Sequence, residues 1–396
     1  MQQTFDVAVI GNGMMGSAAT RYLSATGQRI VAIGPGEPED WHSHQGVFAS
    51  HYDQGRITRI IDPDPVWAHL AARSIEVYPE IEAQSGITFH QRAGGLRVSP
   101  DVTASVDTIN QAEAVGKEYG AIYSRLTAAE LAQRFPFLQF TDGTTALWER
   151  GGAGYINPRS LVRAQLTIAE KQGANIVRET VTGIVKRRDG VELTTDAGTQ
   201  VLARKVLVAA GGYTNHLLER KLDLRPKAVT TLLAELSEAE VKRLHGLPTL
   251  IWRLADNSWL ASIYAAPPIR YPDGKMYLKI GGTLKAPLYM HTPEEFRTWF
   301  HSAGNPDESD ALRAVLLTLL PGLQVTAFQT KPCVYTLTAH NRPYVDQLDD
   351  QIFVVAGGCG SSAKSSNEIG RMAALLVEKE RWTYELAGHE FAARFK

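Results

Sequence analysis

Val7-Ala-Val-Ile-Gly11-Asn-Gly13-Met-Met15-Gly16 is a short apolar run ending in Gly-x-Gly-x-x-Gly, and Ser17 to Ala25 after it has helical character. In this strand–turn–helix setting each glycine has a physical job. Gly11 permits the tight turn, Gly13 lets the backbone approach a pyrophosphate, and Gly16 lets the helix pack closely on the strand. The helix start adds unpaired N–H groups that attract an anion. A second apolar run, Arg29-Ile-Val-Ala-Ile33, completes a β-α-β unit. The expectation is a dinucleotide site; a plain β-α turn is the bland alternative.

Composition narrows the class. A chain of 396 residues with 44% hydrophobic and 21% charged residues is long enough for a large core and two sub-domains. A formal net charge of -1 gives no electrostatic reason to expect nucleic acid or an anionic membrane. No apolar stretch reaches the length of a membrane span, and the N-terminal sequence has no basic-then-apolar leader. Cys333 and Cys359 are too few for a disulfide framework, so a reducing cytoplasm is expected. His42, His44 and His51 have no companion ligands at metal-binding spacing, so no metal is expected.

The pattern farther along is split. Residues 34–62 are polar and turn-rich and carry Ser50-His-Tyr-Asp-Gln-Gly-Arg56-Ile-Thr-Arg59; a loop of that length is usually functional or disordered. Helices are predicted over 66–82, 101–118 and 127–135, and another from the Asn157-Pro158 start. Strands are predicted at Gly95 to Ser99, Val181 to Val185, Gly190 to Thr195 and Ala203 to Ala210, the last running into Gly211-Gly212. Residues 224–330 switch to strand-like and amphipathic segments (Trp259 to Tyr264, Met276 to Gly281, and a helix near 308–319). Gln351-Ile-Phe-Val-Val-Ala356 then returns to a buried strand, followed by glycines and a helix from Ser366 to Glu378. The expected fold is α/β (α+β overall): a Rossmann-like nucleotide domain from 1–82, 150–222 and 330–396, with an inserted mixed-sheet substrate domain from 83–149 and 223–329. A nucleotide domain that opens at one end of the chain and closes at the other is typical of FAD binding, whereas nicotinamide dehydrogenases usually complete it continuously. The last helix is then expected to turn its positive end toward the flavin.

Four segments carry a resemblance over nearly the whole chain. They are Gly11 to Gly16; Ser50 to Arg59, with two arginines three residues apart; Leu278-Lys279-Ile280-Gly281; and Cys333-Val-Tyr335-Thr336 with Ala356-Gly-Gly-Cys-Gly-Ser-Ser-Ala-Lys364. In order and approximate spacing the chain resembles the D-amino-acid-oxidase-type flavoenzymes, and within them the monomeric sarcosine oxidase and N-methyltryptophan oxidase group. The resemblance implies FAD, a small amine or amino-acid substrate, molecular oxygen as partner and a monomer.

It also implies roles. Cys333 would bond covalently to the flavin, the alternative being a structural thiol. Arg59 and Lys364 would clamp the substrate carboxylate, with Tyr52 and Tyr335 beside the substrate; an ion pair with Asp53 or Asp62 is the other reading of Arg59. Lys279 would assist oxygen activation as a fixed positive charge, unless it is an exposed strand lysine. Arg56 would stand near the flavin ring or simply brace its loop. The catalytic set is thus Lys279, Arg56, Arg59 and Lys364. Cofactor contacts would come from Gly11, Gly13, Met15, Gly16, Glu37, Ser50, Arg56, Val181, Gly211, Cys333, Gly358, Gly360 and Lys364. Cys359 would merely fit a tight space, and His51 is a possible proton-handling helper.

The departures fall on the ribose and the substrate side. The carboxylate that usually closes the second strand is absent; the run ends Ile33-Gly34-Pro35-Gly36, with Glu37 three residues late. Tyr52 and Gly55 replace the group's usual His and Thr, Thr283 stands at a His position, and Ser361-Ser362-Ala363 replaces a bulkier stretch. Smaller residues there fit a larger amine than sarcosine. The expected activity is oxidation of the C–N bond of an amino acid or N-alkyl amino acid by hydride transfer, with imine hydrolysis and reoxidation by oxygen to H2O2. The alternatives are a flavin dehydrogenase with another acceptor, a nicotinamide dehydrogenase and a non-catalytic flavin-binding subunit.

Overall fold

The computed structural model describes residues 4–101, 103–255 and 257–396. Residues 1–3 of the expected nucleotide domain, residue 102 of the helix expected over 101–118, and residue 256 of the expected substrate domain lie outside them.

The opening motif folds as read. β1 (Thr4–Ile10) is followed by α1 (Met14–Ser24) and β2 (Ile30–Ile33). Val7, Ala8 and Val9 have no exposed surface, as the centre of a sheet covered on both faces requires. β1 pairs in parallel with β2 on one side and with the strand Gln200–Val208 on the other, so the strand order reverses at β1. Asn175–Val177 extends the sheet beyond β2, and Ile352–Ala356 extends it beyond Gln200–Val208, both in parallel. Residues about 170 to 200 and about 350 positions downstream therefore complete the sheet begun at Thr4. Antiparallel strands Val181–Arg187, Gly190–Thr195 and Tyr344–Gln347 finish the edges.

Helix Ser366–Lys379 packs on α1 so closely that a Cβ at Gly370 would meet the Ala19 amide nitrogen at 2.7 Å. Arg21 of α1 donates to Asn367 at 3.0 Å across this contact. The first turn of that helix follows closely on Ser362, which lines the nucleotide crevice. The Glu368 N–H donates to Ser74 at 3.0 Å, and a 3-10 turn, Ala363–Ser365, separates the Gly-rich segment from the helix.

A second sheet of eight strands runs in the order Ala327–Thr338, Leu224–Leu236, Met276–Leu284, Leu260–Arg270, Thr249–Arg253, Gly95–Ser99, Thr145–Glu149 and Tyr123–Thr127. Its core is Leu- and Ile-rich, with Leu232, Leu250, Leu278 and Ile280 at 1% exposure or less. The strand with Cys333 pairs along its length with Leu224–Leu236, Val229 opposite Cys333. A domain boundary at 330 therefore cuts through one continuous strand, and Cys333 is carried by the second sheet. Three short strands, Arg56–Thr58, Gly154–Ile156 and His90–Gln91, form a third sheet that fixes the arginine loop.

Candidate active site

A cavity of about 490 Å³ opens between the two large sheets, within the size range of cofactor sites. It lies at the C-terminal ends of the parallel strands, where Ile10, Ile33, Ala209 and Val355 border it, and where open α/β sheets bind ligands. Gly11 has φ +109°, and a Cβ there would meet the Ala209 carbonyl oxygen at 2.5 Å. A Cβ at Gly16 would fall 1.9 Å from the Gly11 carbonyl oxygen. Gly13 is different: its missing side chain faces open space, with only the His51 ring at 3.9 Å. Gly13 also caps α1 without any side-chain hydrogen bond, leaving the first-turn N–H groups for a ligand. Asn12 Oδ1 is buried without a partner beside this turn. An open cradle and free N–H donors suit the pyrophosphate of a dinucleotide, while Asn12 Oδ1, an acceptor, is left for a donor such as a ribose hydroxyl.

Gly11, Gly13, Met15, Ser50, Val181, Gly211 and Gly358 line this cavity, as do Tyr52 and Tyr335. Gly16 is packed behind the turn, and Gly360 lies against the Tyr335 ring. Glu37 does not line the cavity. Its carboxylate is held by Arg159, whose Nε and second nitrogen lie 2.6 and 2.5 Å away. Because the second strand ends in Gly34-Pro35, the acidic residue sits too late to reach inward. His51 lines the cavity in neutral form, pushed down to about 3 by burial and then by Arg159 and Arg56.

Behind the lining stands a first group of charges. Arg56 donates to the Ser50 carbonyl at 2.9 Å and to the Cys333 Sγ at 3.3 Å, and it is ion-paired with Asp53. Lys279 also pairs with Asp53 and donates to the Gly55 carbonyl at 3.0 Å. Tyr271 donates its hydroxyl to the same carboxylate at 3.0 Å. Lys279 is fully buried, so it is not an exposed strand lysine. Burial and the neighbouring Arg56 push it down to about 8, against the pull of Asp53. Burial opposes ionisation of Asp53, yet Lys279 and Arg56 hold it well below the usual carboxylate range. Cys333 is a free, half-buried thiol next to the lining residues Val334, Tyr335 and Thr336.

A second group, also outside the cavity lining, joins the end of the arginine loop to the turn Ala363–Ser365. Arg59 and Lys364 reach one oxygen of Asp62, at 3.0 and 2.7 Å. Lys364 has 1% of its surface exposed and is pushed down to about 8, chiefly by burial. Its backbone carbonyl accepts the Tyr78 hydroxyl at 2.9 Å, which ties it to helix Pro65–Ser85. Glu149 accepts the N–H groups of Ile60 and Ile61 at 2.8 and 2.9 Å and so pins the loop after Arg59. Arg97 lies nearby, pushed down to about 10 by burial and Arg59.

The sequence profile of a family described as FAD dependent oxidoreductase matches residues 6–376. The chain belongs to this family. It is 28% identical to a monomeric sarcosine oxidase of Streptomyces avermitilis over 391 residues, 95% of this chain and 94% of that protein. It is 24% identical to an N-methyl-L-tryptophan oxidase of Yersinia pestis, over 99% of this chain and 100% of that one. The solved structure of NikD, described as an unusual amino acid oxidase, aligns with a TM-score of 0.79 at 19% identity, covering 99% and 98% of the two chains.

In this FAD-dependent oxidoreductase the predicted cations fall into two groups: Arg56 with Lys279, and Arg59 with Lys364. The sequence reading offered Asp53 or Asp62 as a partner for Arg59, and Asp62 is the one that binds it. It missed Asp53 as the hub of the other group, together with Tyr271 and Glu149. The position of Asp53 three residues before Arg56 was the available signal. Cys359 sits in the Gly-rich turn with φ +49° and 9% exposure, consistent with a tight space. Among the described residues no helix is long and apolar enough to cross a membrane.

Proposed function

We propose that this enzyme oxidises the C–N bond of an amino acid or N-alkyl amino acid, giving an imine that water hydrolyses, with oxygen reduced to H2O2. The reading is carried by the meeting of Arg59 and Lys364 on a single carboxylate oxygen. Two cations at that spacing suit a substrate carboxylate, Arg by its planar fork and Lys as a compact charge. The two relatives are named for a secondary amino acid substrate, which agrees with it. When bound, FAD supplies the acceptor for the hydride that leaves the carbon beside nitrogen.

The chain's own residues supply the rest. The turn at Gly11–Gly16 would hold the pyrophosphate, and Cys333 would hold the ring covalently. Arg56, 3.3 Å from the Cys333 sulfur, fixes that strand against the arginine loop. Tyr52 and Tyr335 line the cavity and would shape the substrate side. Lys279 would present a buried cation to oxygen as negative charge develops there. No proton acceptor of its own is required if the amine arrives neutral. Two free cysteines support a reducing, cytoplasmic setting, and we take the enzyme as a monomer.

Anaerobic addition of N-methyl amino acids to the FAD-loaded protein is expected to bleach the flavin. Failure of every amino acid and N-alkyl amino acid to do so would remove this reading. A second reading, electron transfer to an acceptor other than oxygen, is favoured by the Asp53 carboxylate on Lys279, which damps the cation's field. The rate of reoxidation in air separates the two. If oxygen is the acceptor, Lys279→Met should slow that step by about 100-fold or more while sparing anaerobic reduction.

A further inference from the structure

The carboxylate clamp already contains a carboxylate. Lys364 Nζ and an Arg59 nitrogen both contact Asp62 Oδ2, at 2.7 and 3.0 Å, and Oδ1 accepts the Asp64 N–H at 3.2 Å. Asp62 is 5% exposed and cannot swing into solvent without moving its loop. That loop is held on one side by Glu149, through Ile60 and Ile61. On the other side Asp64 caps helix Pro65–Ser85. Arg59 and Lys364 face two carboxylates, Asp62 and Glu149, and Arg97, itself beside Arg253, also faces Asp62, so positive charge is in excess.

We propose that Asp62 is an internal competitor for the substrate carboxylate, weakening the clamp's grip on anions and limiting it to a single carboxylate. The inference rests on Arg59 and Lys364 receiving that group. A ligand carboxylate placed on the same cations meets a fixed like charge within a few ångströms in a dry site, where repulsion is poorly screened. Without Asp62, Arg59 and Lys364 would be left with Glu149 as their nearest negative charge, and an incoming anion would take over the role of direct counter-ion. Asp62 thus keeps the free clamp paired at the expense of affinity. Discrimination among substrates is then shifted to groups other than the carboxylate.

The test is a titration of FAD-loaded protein with acetate and with acetamide, which differ in charge and contain no oxidisable amine, followed by flavin absorbance. Asp62→Asn should tighten acetate binding at least about tenfold and leave acetamide unchanged. Asp62→Glu, which keeps the charge, should bind acetate as weakly as the parent. Unchanged or weaker acetate binding in Asp62→Asn overturns the inference. If that variant folds poorly, acetate should raise its Tm more than the parent's, and the absence of such a rise overturns it equally. Amine bleaching is scored separately. Bleaching without any acetate response sinks the competitor, whereas an acetate response without bleaching by any amine sinks the proposed function alone.

Discussion

At the scale of single residues, burial pushes the ammonium groups of both Lys279 and Lys364 down to about 8. Lys364 has its ammonium pushed down to about 8 by burial, opposed by Asp62 and further lowered by Arg59, with Glu149 also facing it. It is protonated below that value and loses its charge above it. An anionic ligand should therefore bind with constant affinity up to about pH 7 and progressively more weakly toward about pH 9. Acetate titrations across that range check this, and Lys364→Met should both weaken binding and flatten the profile. Of the local ion pairs, Arg59–Asp62 was legible in the sequence, while Asp53–Arg56, at the same three-residue spacing, was not read. Their lysine partners lie 226 and 302 residues away, and no local pattern encodes such a meeting. Only the resemblance suggested that Lys279 and Lys364 belong to one site.

Among elements, the strand–turn–helix at the start of the chain was the most legible, since its glycines are demanded by sterics. Gly13 and Gly16 should respond differently to the same methyl group. Gly16→Ala drives a Cβ into the Gly11 carbonyl oxygen at 1.9 Å and should destabilise the fold by about 3 kcal/mol. Gly13→Ala meets nothing nearer than 3.9 Å, so the protein without cofactor should keep its Tm while its FAD affinity falls. Thermal melts of the two variants, with and without FAD, decide this. Helix Pro293–His301 was missed, although its signals are strong: Pro293 stands in the first turn, and Thr292 with Glu295 makes a capping box. It lay among segments read as strands, and its importance is tertiary. Phe296 stacks on Tyr213 with ring centroids 4.6 Å apart, and Trp299 donates to the Cys333 carbonyl at 3.0 Å. The pairing order of the second sheet was equally hidden, because alternation marks strands but not their neighbours.

For the whole molecule, the cavity joins two sheets, so its occupant should act as mortar between them. In Cys333→Ser, acid should release the flavin, and Tm should climb with added FAD by the ordinary linkage of about 1.4 kcal/mol per tenfold excess over Kd. A parent protein carrying covalent flavin should show no such concentration dependence; equal dependence in both would argue against attachment at Cys333. The nucleotide sheet was foreseen because its central strands end in buried apolar runs, residues 7–10, 206–208 and 353–356, each followed closely by glycine. The split of this sheet along the chain has a biosynthetic consequence. Ile352–Ala356 is a sheet neighbour of Gln200–Val208, and Ser366–Lys379 covers α1 through Gly370. A nascent chain halfway out of the ribosome thus possesses the whole glycine turn but only a half-walled cradle, with α1's apolar flank bare. Flavin capture should therefore wait until residues 352–379 have been made, and until then α1 lacks the helix that covers it.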